Sequence, residues 1–230
     1  LSQAYIIAEI GVNHNGNINL AKDMVLAAKD SGADAVKFQT YSAELLVAPG
    51  TPKVKYQEET TLSGETHFEM LKKLELSRDD HLVLYEFCKA NDINFLSTPY
   101  DIESAKFLKK LGVNFFKTAS ADIIDLPLHE YIASTKIPSI IASGMATMQE
   151  IENVIKIYQD KNNNDFIVLH CVSNYPCSDS SLNLKVIKDI KKKFNCSVGY
   201  SDHSIGHLAA VIAVSNGAKL VEKHFTINKS

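Results

Sequence analysis

Eight short apolar runs, alternating with longer amphipathic stretches, constrain this chain more than any other feature it has. The runs cover residues 5–10, 35–39, 94–98, 115–118, 139–143, 166–170, 197–201 and 219–224, each of typical strand length. In the helical pattern of 19–31, Leu20, Met24, Ala27 and Ala28 share one face, Lys22, Asp23 and Lys29 share the other, and Gly32 ends it. The same periodicity predicts helices over 79–91, 102–111, 126–134, 147–161, 183–193 and 206–216. Strands without polar alternation, each followed by a helix, fit a parallel sheet covered by helices. Eight of them favour a closed (β/α)8 barrel, a TIM-type α/β fold, over an open doubly wound sheet.

A chain of 230 residues, 45% hydrophobic, fills one such core, so a single barrel domain over 1–230 is expected. The sequence runs only six residues past His224, which predicts a barrel truncated after its eighth strand, with its last helix missing. The connection over 41–76 is far longer than usual and holds Pro49, Gly50, Pro52 and Gly64, the marks of a functional loop. A net charge of -3 supplies no basic surface for nucleic acid. Cys88, Cys171, Cys177 and Cys196 form no CxxC pair, and no apolar run approaches membrane-spanning length; reduced thiols in a cytoplasmic protein are expected.

Barrel chemistry sits at the C-terminal strand ends, where this chain is densely polar. Glu9, Lys37, Gln39, Ser97, Thr98, Lys117, Ser120, Asp122, Ser143, His170, Ser201, Asp202, His203 and His224 all fall there. One strand lysine can snorkel to solvent, but two in one barrel mouth call for an anionic partner, a phosphate or carboxylate ligand. Ser120, Ser143 and Ser201 add neutral donors around it. His203 and His224 end adjacent strands about 4.8 Å apart, close enough for both imidazoles to reach one ion. With no cysteine beside them, an open site for Mn²⁺, Mg²⁺ or a similar ion is expected. His67, His81 and His129 read as surface residues on helices or loops, and His14, in the first strand-to-helix loop, is a candidate for ligand contact.

Seven motifs in order, AEIGVNHNG (8–16), GADAVKFQT (32–40), STPYD (97–101), SGMAT (143–147), LHCVSNYP (169–176), GYSDHS (199–204) and EKHFT (222–226), resemble those of the sialic acid synthases, with the legionaminate and pseudaminate synthases. The resemblance implies a transferase that condenses phosphoenolpyruvate with an open-chain N-acylated mannosamine, giving a sialic-type acid and phosphate. It implies that Lys37, Lys117, Ser120, Ser143 and Ser201 receive phosphoenolpyruvate, with Glu9 beside them. Gln39, Tyr175 and Asp122 correspond to sugar-side groups, and His203 and His224 to the ligands of a divalent metal, Mn²⁺ or Mg²⁺. It further implies a C-terminal antifreeze-like domain beyond this chain and a homodimer built through it. Many members carry Gly-Ser-Gly-Glu where this chain has Ala119-Ser120-Ala121-Asp122, an acid one methylene shorter. Three alternatives stay open: a metal-dependent aldolase or octulosonate-type synthase, a Schiff-base aldolase using Lys117, and an inactive sugar-binding barrel.

Overall fold

The computed structural model describes residues 3–48, 50–53 and 64–229. All eight expected runs are strands: β1 (Tyr5–Gly11), β2 (Ala35–Thr40), β3 (Asn94–Pro99), β4 (Phe116–Thr118), β5 (Ser139–Ala142), β6 (Phe166–Cys171), β7 (Ser197–Asp202) and β8 (Leu220–His224). They form one sheet in the order β3-β2-β1-β8-β7-β6-β5-β4, with every hydrogen-bonded pairing parallel. The end strands β3 and β4 touch, which brings the sheet round into a barrel.

Helix α1 (Ile18–Asp30) follows β1, capped by the Asn17 side chain, which accepts from the Asn19 and Leu20 amides. The long connection after β2 contains α2 (Ala43–Leu46) and α3 (His67–Leu74); Pro49 and residues 54–63 lie outside the described residues. Helices α4 (Arg78–Ala90), α5 (Ile102–Leu111), α6 (Leu126–Ser134), α7 (Met148–Asp160), α8 (Val186–Phe194) and α9 (Leu208–Ser215) complete one outer helix per connection. Reciprocal capping boxes, Thr66 with Glu69, Ser77 with Asp80 and Thr147 with Glu150, start α3, α4 and α7. Gly112, at φ 93°, ends α5 in the left-handed conformation that glycine adopts without strain.

Inside the barrel, Ile7, Ala35, Leu96, Ile140, Leu169 and Leu220 pack into one apolar layer. Gly199 belongs to it: a Cβ there would meet the Leu169 side chain at 2.5 Å and the Leu220 carbonyl at 2.7 Å. This layer is the floor on which the strand tips stand. On the outside, α9 is apolar but little covered, with Leu208 67% and Val211 59% exposed and Ile205 beside them.

His81 and His129 depart from expectation, being 1% and 0% exposed rather than at the surface. Both are in phase with the buried stripe of their helix, His81 with Leu84 and Cys88, His129 with Ile132 and Ala133. His81 Nδ1 donates to the Ser77 carbonyl at 2.8 Å, and Nε2 accepts from the Thr40 hydroxyl at 2.8 Å. His129 makes no well-formed hydrogen bond through either nitrogen, and burial pushes its pKa from 6.5 to about 4. As pH falls, the unfolded chain therefore takes up this proton first. The stability at stake is whole above about pH 6.5 and is lost as pH falls toward 4, on the order of 3 kcal/mol. His129→Phe should lessen the drop in urea stability between pH 7.5 and 5; an unchanged drop would show that this imidazole does not titrate on unfolding.

Candidate active site

The strand tips enclose a cavity of about 190 Å³ whose wall follows from the period of two along each strand. Two residues beyond Ile7, Ala35, Leu96, Ile140, Leu169 and Leu220 stand Glu9, Lys37, Thr98, Ala142, Cys171 and Glu222, all lining the cavity. Two further on, Gln39, Tyr100, Ser173 and His224 continue the wall. Lys117, Ser201, His203 and Tyr175 also face it, and Ala119, Ser120, Ala121 and Met145 complete the set. A bulge in β1 between Glu9 and Gly11, where Gly11 takes φ 55°, re-aims the strand as it enters the site.

Four buried charges meet at the centre. Lys37 Nζ lies 2.7 Å from Glu9 Oε2 and 3.8 Å from Glu222, and it donates to Thr98 Oγ1 at 3.0 Å. Lys117 Nζ lies 3.5 Å from Glu222 and donates to the Thr118 carbonyl at 3.1 Å. Ser201 Oγ donates to Glu222 Oε1 at 3.0 Å. Burial alone would raise the Glu222 pKa, but Lys117 and Lys37 overcome it and hold the carboxylate well below its ordinary range. For Glu9 burial wins, and it is pushed above the usual carboxylate value despite Lys37. Burial works against the Lys37 charge, yet Glu222 and Glu9 together raise its pKa; in Lys117 burial prevails and lowers it. Two ammonium groups thus face one firmly ionised carboxylate and a second, Glu9, whose charge burial disfavours, so that an anion entering the cavity can share the lysines.

Above this cluster the His203 and His224 rings lie 5.7 Å apart, centroid to centroid. The Tyr175 ring is 4.0 Å from His203 and 5.5 Å from His224. His203 Nδ1 donates to the Val172 carbonyl at 2.7 Å, which fixes the tautomer and leaves Nε2 an acceptor; contrary to the sequence reading, a cysteine does stand beside this ring, the Cys171 thiol lying 3.7 Å from Nδ1 and 4.0 Å from Nε2. Burial pushes His203 down to about 4, so it is neutral at pH 7. The His224 side chain is exposed at the mouth, but desolvation on its cavity side and the Lys37 charge lower its pKa. Neutral imidazoles, one oriented through its far nitrogen, have the chemistry a divalent ion requires. Among the described residues no group of three or more His, Cys, Asp or Glu is placed to hold a metal ion.

The structure brings together Glu9, Lys37, Gln39, Lys117, Ser120, Tyr175, Ser201, His203 and His224. Asp122 and Ser143 stand back. Ser143 follows the inward Ala142, so it turns out of the barrel and its hydroxyl donates to the Leu169 carbonyl at 2.9 Å. Asp122 lies half-buried in a 3₁₀ turn, its carboxyl pushed up to about 6 by burial and by Asp125. His14 and His170 also miss the cavity: His14 Nδ1 accepts from the Gly16 amide, and His170 Nε2 donates to the Leu182 carbonyl. The residue that sequence reasoning passed over is Glu222, although it shares a face with His224 two positions on. Cys171, Tyr100 and Met145 were likewise not singled out, and of Ser173 and Asn174 in the SNY triplet it is Ser173 that lines the cavity. Gly144 is needed where the loops meet: it donates to Ser120 Oγ at 3.0 Å, and a Cβ would sit 2.5 Å from Ser173 Oγ.

The NeuB family model matches residues 24–230. The N,N'-diacetyllegionaminic acid synthase of Legionella pneumophila is 46% identical over 230 residues, covering 98% of this chain and 65% of that protein. The pseudaminic acid synthase of Helicobacter pylori is 36% identical, covering 98% of this chain and 66% of that one. The crystal structure of N-acetylneuraminic acid (sialic acid) synthetase from Leptospira borgpetersenii, in complex with citrate, matches with a TM-score of 0.86 at 36% identity, over 99% of this chain and 74% of that one. The chain spans 65% and 66% of the two curated relatives' length.

Proposed function

The chain belongs to the NeuB family, and from that premise we propose that it is the catalytic barrel of an enzyme condensing phosphoenolpyruvate with an open-chain N-acylated mannosamine. The products are a nonulosonic acid and inorganic phosphate. The observation that carries the reading is the pair of buried lysines, Lys37 and Lys117, held by Glu9 and Glu222 at the base of the cavity. The 46% identity to an N,N'-diacetyllegionaminic acid synthase favours a diacetamido deoxy acceptor, in keeping with the exposed apolar groups Met145 and Tyr175 at the rim.

In the proposed reaction, C3 of phosphoenolpyruvate attacks the aldehyde carbon of the acceptor and positive charge develops at C2. Water adds at C2, and the tetrahedral intermediate collapses by breaking the C2–O bond, releasing phosphate. Lys37 and Lys117 hold the anion in place and balance its charge throughout, with Ser120 and Ser201 as neutral partners. Glu9, pushed toward its neutral form by burial, exchanges the proton of the added water. Gln39 and Tyr175 orient the sugar. His203 and His224 would hold a divalent ion, which when bound polarises the acceptor aldehyde. A closing C-terminal antifreeze-like domain, a homodimer through it, a further helix seated on the apolar face of α9 and a cytoplasmic location belong to the same proposal.

An octulosonate-type enzyme acting on a sugar phosphate would need a second cationic patch. Among the described lining residues, Lys37 and Lys117 are the only lysines or arginines. Phosphate release should therefore be observed with phosphoenolpyruvate, Mn²⁺ and N-acetylmannosamine or its 2,4-diacetamido-6-deoxy analogue. Turnover of the 6-phosphorylated sugar alone would move the assignment to the sugar-phosphate class.

A further inference from the structure

Immediately before each imidazole of the site stands a charged residue facing the other way. Asp202 and Lys223 are register partners, and theirs is the last pair of the β7–β8 ladder. His203 and His224 therefore lie just past the point where main-chain pairing of these strands stops. Because side chains alternate, Ser201 with His203 and Glu222 with His224 face the cavity, while Asp202 and Lys223 point out of the barrel.

On that outer side the two make a closed set of bonds. Asp202, 1% exposed, accepts from Lys223 Nζ at 2.8 Å through Oδ2. Its Oδ1 accepts from the Ser204 amide at 2.9 Å and the Ser204 hydroxyl at 2.7 Å, and Lys223 Nζ also donates to the Ser204 carbonyl at 2.7 Å. Both chain neighbours of His203 are thus tied to β8 through one ammonium group. The His203 carbonyl accepts from the Cys177 amide at 2.8 Å. His224 is fixed from the other flank, by its register with Glu9 and by the Phe225 amide donating to the Glu9 carbonyl at 2.8 Å.

We propose that Asp202, Lys223 and Ser204 form a clamp that sets the separation of the His203 and His224 rings for one divalent cation. They are positioning residues, touching neither cation nor substrate, and the inference rests on the two-imidazole reading of the proposed function. Ligand bonds to such ions are short and fixed within tenths of an ångström, so strand tips free to splay would present the second imidazole out of reach. Outer groups that orient metal ligands typically control affinity by roughly ten- to a hundred-fold.

The test is Mn²⁺ binding without substrates, followed by the electron paramagnetic resonance of free Mn²⁺, alongside thermal unfolding of each metal-free variant. Lys223→Met and the near-isosteric Asp202→Asn should each weaken Mn²⁺ binding by roughly ten- to a hundred-fold, and Lys223→Arg should recover most of it. His203→Ala serves as the reference for the site itself. If His203→Ala abolishes binding while Lys223→Met and Asp202→Asn lower only the melting temperature, the clamp is merely structural and the inference is overturned. If His203→Ala binds Mn²⁺ like the unaltered protein, the metal reading falls and the clamp's role falls with it.

Discussion

Lys37→Met should lower kcat/KM for phosphoenolpyruvate by roughly 10³-fold or more, equivalent to about 4 kcal/mol of transition-state stabilisation. An ammonium at this depth cannot be replaced by water, because Lys37 is only 4% exposed and its place is the base of the cavity. The same change should cost stability, since Glu9 and Glu222 both lean on this one group, at 2.7 and 3.8 Å. Removing one member of a buried ion pair typically costs about 3–5 kcal/mol, because its partner is left charged without compensation. The two effects are separable. Adding Glu9→Gln removes the stranded carboxylate, so the double variant should regain much of its urea stability and none of its activity. Lys117→Met should match the loss of activity but unfold less readily than Lys37→Met, since among the described residues its ion pair is with Glu222 alone, at 3.5 Å. Steady-state kinetics and urea titrations on the three variants check these outcomes; near-normal phosphoenolpyruvate kinetics in Lys37→Met would remove the anion from this cavity.

His203→Ala and His224→Ala should each reduce Mn²⁺-supported turnover by more than about 10²-fold, beyond the effect usual for groups that merely orient a metal ligand. Their effects on stability should differ. His203 is gripped by the Val172 carbonyl and the Tyr175 ring, so its loss leaves a partly buried carbonyl without its donor. His224 is exposed at the mouth, and its replacement should leave the urea midpoint nearly where it was. A stable, fully folded His224→Ala protein without Mn²⁺-dependent turnover would be the clearest sign that the ring serves the chemistry rather than the fold. Full turnover in both variants after chelation would exclude the two imidazoles from it.

Much of this architecture was legible before any coordinates, because parallel strands buried on both faces and amphipathic helices leave separate periodicities in the chain. The strand tips were legible for the same reason, and the lysines and histidines stood out as costly residues in apolar runs. What failed was local phase. Ending β5 at Ser143 rather than Ala142 obscured that the residue after an inward alanine must face out. His81 and His129 were read by residue type rather than by their place on the buried stripes of α4 and α6. Glu222 hid behind its neighbour His224, although an acid two residues before an inward imidazole must share its face. The charge cluster itself was not legible, since its members come from β1, β2, β4 and β8, which only closure of the barrel brings together.

The most direct measurement is the fate of oxygen in phosphoenolpyruvate labelled with ¹⁸O at the bridging position, turned over by the protein with Mn²⁺ and an N-acylated mannosamine. Attack of C3 on the aldehyde, followed by loss of phosphate from C2, requires the C2–O bond to break. The label should leave entirely with inorganic phosphate, as one molecule of sugar acid forms for each phosphate released. Label retained in the sugar acid, or phosphate released at the same rate with no acceptor present, would contradict a phosphoenolpyruvate-condensing site in this barrel.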